Sequence, residues 1–149
     1  MELSDPPFSA ARGFIAVFLA WFVSQVFKVI RGILTQGRFN FRWLFDTGGL
    51  PSAHAATVAA LATAVGLYYG FNSIPFLITL IFTIITMFDA AGVRRSVGRQ
   101  AGILNKMIDD IYSKRQVPET RLKELLGHTP FEVFAGAFVG ILVSLILCR

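Results

Sequence analysis

The chain has 149 residues, 54% of them apolar, and a formal net charge of +5. Soluble domains carry roughly 45–50% apolar residues; a mean hydropathy of +0.62, with the apolar residues gathered in runs, excludes an ordinary soluble globule and points to the membrane. The length suits one domain, 1–149, and the single cysteine, Cys148, excludes an intrachain disulfide and reads as a small apolar residue at a helix end.

The opening stretch, MELSDPPFSAARGF, places Glu2 and Asp5 ahead of its only cation, Arg12. No small-residue cleavage site follows the first apolar run, so that run is expected to be retained as a membrane helix rather than removed as a signal. It spans roughly Gly13 to Leu34, with Gln25, Lys28 and Arg31 in its second half. Three more segments approach the ~20 apolar residues that a bilayer crossing requires. They are Ser52 to Tyr69, rich in alanine; Ile74 to Val93, with Asp89 near its end; and Phe131 to Cys148. Only GFNS separates the second from the third, which predicts an antiparallel helical hairpin.

This order puts the loops at 31–51 and 94–130 on one side and both termini on the other. The first loop, counted with Lys28, holds four cations (Lys28, Arg31, Arg38 and Arg42). The second holds eight: Arg94, Arg95, Arg99, Lys106, Lys114, Arg115, Arg121 and Lys123. The positive-inside rule assigns the loaded side to the cytoplasm. The basic loop at 94–130 is itself expected to be helical. ILNKMIDDIY sets Leu104, Met107, Ile108 and Ile111 at helical spacing, and PETRLKELLG runs from Pro118 to Gly127 with the punctuation of a short helix. Both read as amphipathic helices lying against the membrane face and covering the bundle.

The two histidines, His54 and His128, both stand at the mouth of a predicted membrane helix on the cation-rich side. Their convergence suggests an anionic substrate handled by acid–base or nucleophilic chemistry. TGGLPSAH supplies two glycines, a proline suited to a first helical turn, the hydroxyl of Ser52, and His54 at a helix N-terminus that favours phosphate. At the other mouth, Glu132 stands four residues after His128, placed to hold its imidazole in one tautomer. The same Thr129-Pro-Phe-Glu132 stretch also reads as a capping box in which Glu132 binds only backbone. Asp89 reads as half of a structural ion pair with Arg94, Arg95 or a cation of the first helix. Two stripes of small residues, Ala56/Ala60/Ala64 and Gly136/Gly140/Ser144, are the signature of close helix packing in lipid and would bring the two histidine-bearing mouths together.

PSAH followed about seventy residues later by HTPFE resembles the type-2 phosphatidic acid phosphatase superfamily, which includes the vanadium-dependent haloperoxidases. The blocks GGLPSAHAA, FDAAGVRRSVGRQAGILN and LKELLGHTPFEVFAGAFVG are similar, in order and spacing, to its divergent acid phosphatase/haloperoxidase-related branch. The resemblance implies that His128 attacks phosphorus to form a phosphohistidine, that Glu132 is its acidic partner, and that His54 protonates the leaving group. It implies phosphate contacts from Lys28, Ser52 and Ala53, with Arg94, Arg95 and Lys123 as candidates for the remaining ligands, and no metal or other cofactor. The first motif, K-x6-R-P, is not present: Thr35 stands seven residues after Lys28, and Leu122 stands where the third motif has arginine.

The expected fold is therefore all-α: an integral membrane bundle of four transmembrane helices, with amphipathic cytoplasmic helices between the third and fourth. The expected function is hydrolysis of a phosphate monoester or diphosphate, of a lipid or small molecule, at the cytoplasmic face. The alternative is a catalytically degenerate membrane protein that binds phosphorylated head groups or scaffolds an assembly. The partners are the bilayer and a phosphorylated substrate; no nucleic acid is expected.

Overall fold

The computed structural model describes residues 10–44, 49–112 and 128–148. Its elements are α1 (Ala10–Gln36), a 3-10 turn (Phe41–Leu44), α2 (Ala53–Tyr69), α3 (Ile74–Ala91), α4 (Val93–Tyr112) and α5 (Pro130–Leu147). No strand occurs among the described residues. Three helical runs are long and apolar enough to cross a membrane: α1, the run Ile74–Asp109 that contains α3, and α5. The expected second crossing, α2, is apolar but shorter, at 17 residues.

The shortness of α2 goes with its position. It sits at the centre of the bundle and touches α1, α3 and α5. Burial falls on nearly every side of it, from Ala53 through Ala55, Ala56, Val58, Ala59, Ala60, Ala62 and Ala64 to Gly66. A helix surrounded by three others cannot carry large side chains at close interaxial distance, so α2 is alanine-rich. The outer helices show the complement. Along α1, small or polar residues face inward every four positions (Ala16, Ala20, Ser24, Lys28), while Phe14, Phe18 and Phe22 face outward. Small residues inside and large apolar residues outside is the arrangement expected where lipid, not water, surrounds the bundle.

The tightest contact is between α2 and α5, which run parallel in constant register. A Cβ at Gly136 would collide with the Ser52 carbonyl, and one at Gly140 with the Ala56 carbonyl. One turn further on, Ser144 Oγ donates to the Ala60 carbonyl at 2.8 Å. The stripes expected from sequence therefore meet, with Ala56 and Ala60 in a cluster that also holds Ala20 of α1. α3 is attached to α2 by a second hydroxyl, Thr83 Oγ1 donating to the Val58 carbonyl at 3.0 Å.

The helix ends follow local rules. Ser52, Ser73 and Thr129 are N-caps, and Pro130 opens α5 at a position where its missing N–H costs nothing. Gly70, at φ +88°, closes α2 and turns the chain into the expected hairpin with α3. Pro51 is not in the first turn of α2, contrary to the expectation: it precedes the cap, across a cis Leu50–Pro51 bond.

α4 follows α3 after the single residue Gly92 and is longer than the sequence pattern of 104–111 indicated. Among the described elements it touches only α3, so it does not cover the bundle. Val97, Leu104 and Met107 on it are about half exposed. The second short helix expected at 118–127 lies outside the described residues, as does Gly48.

If the α2–α5 approach holds the bundle, Gly140→Ala forces the two helices apart and lowers stability by about 1–3 kcal/mol, the usual cost of overpacking. Thermal unfolding in lipid nanodiscs reads this, and Phe138→Leu, on the outward face of the same helix, leaves the transition in place.

Candidate functional site

One end of the bundle gathers the C-terminal end of α1, the start of α2, the end of α3 and the start of α5. Ala55, Ala90 and Val133 form the apolar floor there. Two backbone bonds tie the elements together: Ser52 N–H donates to the Glu132 carbonyl at 2.9 Å, and His128 N–H to the Ala90 carbonyl at 3.2 Å. The two helix mouths that carry the histidines are thus adjacent, as the small-residue stripes implied. Ser52 is level with Gly136, six residues into α5, so α5 starts roughly 9 Å further out at 1.5 Å per residue and its first turn rises beside the start of α2.

At the mouth of α5, His128 is 1% exposed and its Nδ1 lies 3.3 Å from Glu132 Oε2. The same Oε2 accepts the Thr129 backbone N–H at 3.0 Å, and Glu132 N–H donates back to Thr129 Oγ1 at 3.3 Å. Glu132 therefore does both things that the sequence left as alternatives: it completes the capping box and it engages the imidazole. With the proton on Nδ1, the ring donates to the carboxylate and keeps its lone pair on Nε2, the form a nucleophile or base requires.

Beside this pair is an open cleft of about 400 Å³ lined by Lys28, Arg31, Gly32, Thr35, Trp43 and Glu132, among others. Lys28 is 8% exposed, its stem passing beneath Gly49, whose φ of +92° lets the chain close over it. Neither histidine lines the cleft.

The remaining expected site residues are distributed as follows. Ser52 is fully buried and its Oγ accepts the Ala55 N–H at 3.4 Å, so its hydroxyl oxygen caps the helix. Ala53 is buried at the first position of α2. His54 is exposed. At 100° per residue it lies on the side of α2 away from Ala56 and Ala60, in line with Leu61 and Tyr68, which are also exposed. It is thus near the mouth but turned from α5. Asp89 is exposed on the last turn of α3, and the ion pair expected for it is not formed among the described residues. The backbone of Arg94 and Arg95 opens α4; their side chains, and all of Lys123, lie outside the described residues.

Three lining residues escaped the sequence reading. Arg31 and Thr35 follow Lys28 by three and seven positions, so helical spacing alone places all three on one face. Trp43 reaches the cleft through a contact that no local pattern announces: its ring lies on Gly32, where any Cβ would collide with it.

Comparison with known proteins gives the relationship. The model of the divergent PAP2 family matches residues 10–143, and the chain belongs to that family. It is 42% identical over 135 residues to an uncharacterized membrane protein, YuiD, of Bacillus subtilis (strain 168), a match covering 83% of this chain and 85% of the relative. No solved structure matches. With three helices able to cross a bilayer, the chain is an integral membrane protein.

The dual role of Glu132 predicts separable losses. Glu132→Ala removes both bonds to Oε2 and lowers thermal stability by about 1–2 kcal/mol, while Glu132→Gln retains most of the cap. Nitrogen NMR of the His128 ring reports the second function: the Nδ1–H form dominates in the unaltered chain and loses its preference in Glu132→Ala.

Proposed function

We propose, taking membership of the divergent PAP2 family as the premise, that this protein acts on a phosphorylated lipid or small phosphate ester at one membrane face. The observation that carries the reading is the His128–Glu132 pair beside a cleft holding Lys28 and Arg31. The phosphoryl group docks in the cleft, where the cations balance its charge. Once the cleft opens to the buried His128 ring, Nε2 forms a bond to phosphorus as the bond to the leaving oxygen breaks in line with it; that oxygen takes a proton from water, and Glu132 stabilises the phosphoimidazolium so formed. Water then attacks the phosphohistidine, releasing phosphate and restoring the ring. Most of the rate comes from fixed donors and cations around the phosphoryl oxygens.

The same reading completes the topology. α2 crosses as the fourth, shorter span, shielded from lipid by its three neighbours; the site faces the cytoplasm, where the basic loops lie, and both termini face the other side. α4 rests its apolar side on the membrane surface.

A second reading, head-group binding without turnover, is favoured by one observation: His54, the acid implied by the resemblance, is turned from α5. Acid-quenched reactions of the purified protein in lipid, with phosphatidate labelled in its phosphate, separate the two. The hydrolytic reading expects an acid-labile, base-stable phosphoprotein that His128→Ala abolishes, with turnover falling by about a thousandfold or more, as for loss of a principal catalytic group. Binding of phosphatidate with no hydrolysis and no labelled protein supports the second reading and overturns the first.

A further inference from the structure

The cleft contains a cation to which the resemblance gives no role. Lys28, Arg31, Gly32 and Thr35 occupy one face of the last turns of α1 and line one wall; Glu132 stands on another. The carboxylate is engaged with His128 and the Thr129 N–H. Lys28 is buried, whereas Arg31, one turn further out, is exposed and makes no ion pair among the described residues. With the carboxylate engaged elsewhere, the Arg31 guanidinium stands at the rim without an ion pair among the described residues. A guanidinium there is held in water until a ligand covers it, and its planar fork matches two oxygens of a phosphate.

The adjoining part of the rim is apolar. Trp43 folds back onto Gly32, the residue after Arg31, and Leu50 continues that wall. A guanidinium beside an indole suits a ligand whose charged oxygens adjoin carbon.

We infer that Arg31 is the guanidinium that binds the phosphate oxyanion in this cleft, with Lys28 beneath it and Trp43 as the adjoining wall. The ligand class is a phosphomonoester dianion, and the inference rests on the reading of the cleft as a phosphate site. It assigns to α1 the role that sequence reasoning gave to Arg94 and Arg95.

The test uses the full chain in phosphatidylcholine nanodiscs on a Trp21→Phe background, so that Trp43 alone reports. Inorganic phosphate is titrated while indole fluorescence is followed, and a second set of discs contains phosphatidate. Arg31→Ala is expected to weaken phosphate binding by about 10- to 100-fold, the loss typical of a charge-assisted contact. Arg31→Lys restores part of it, and Arg38→Ala, an exposed cation outside the cleft, changes nothing. An unchanged melting temperature in Arg31→Ala shows that the loss is not unfolding. Competition by phosphatidate that Arg31→Ala abolishes assigns the dianion to a lipid head group; a response to inorganic phosphate alone, lost in the same variant, assigns it to free phosphate, and both support the inference. If Arg31→Ala binds as the unaltered chain does while Lys28→Met does not, the phosphate site stands and the role of Arg31 is overturned. No saturable response to either ligand in the unaltered chain overturns both.

Discussion

The rest of the structure depends on the approach of α2 to α5 at van der Waals distance from backbone to backbone. In lipid no hydrophobic force drives helices together, so association relies on dense packing and on hydroxyl-to-carbonyl bonds. Gly136 and Gly140 let the carbonyls of Ser52 and Ala56 come against α5, and Ser144 completes the row by donating to Ala60. That row fixes the register of the two helices. The register brings the start of α2 beside the first turn of α5, where Ser52 is bonded to Glu132 through the backbone. A structural stripe in the membrane interior thus sets the geometry of polar groups at its edge.

Those polar groups are arranged as an apolar surrounding demands. A buried lysine and a buried histidine are expensive unless charge and hydrogen bonds compensate. Glu132 meets part of that need, joining the His128 ring and the Thr129 N–H through a single oxygen. The cap holds the carboxylate in place, so the imidazole is oriented by a group that cannot easily swing away. A capping box by itself only satisfies the N-terminus of a helix; here it also places a titratable ring, and for that reason separating structure from chemistry at this position requires two kinds of measurement.

Much of this was legible in the sequence because it is local or periodic. The four apolar segments, the GFNS hairpin, the Pro130 start and the paired small-residue stripes each follow from spacing along one helix, and each is present. Glu132 was left with two roles, and the structure gives it both, since an i, i+4 contact and an N-cap contact are geometrically compatible. What the sequence did not show depended on direction around a helix or on contact between distant elements. His54 reads as a partner of His128 when only helix ends are counted, but the rotation of α2 turns it from α5. Asp89 stands exposed at the end of α3, with no ion pair among the described residues. Trp43 could not be placed at all from sequence, because its seat on Gly32 joins an irregular segment to a helix.

The central claim is that His128, oriented by Glu132, faces a phosphoryl group held in the cleft of Lys28 and Arg31. An experimental structure with orthovanadate bound, determined in lipid, tests it most directly, because vanadate takes the trigonal-bipyramidal geometry of phosphoryl transfer. The account predicts vanadium bonded to His128 Nε2, with equatorial oxygens on Lys28 and Arg31. Vanadate lying in the cleft with the His128 ring still sealed from it, or absent from the cleft at saturating concentration, contradicts that account.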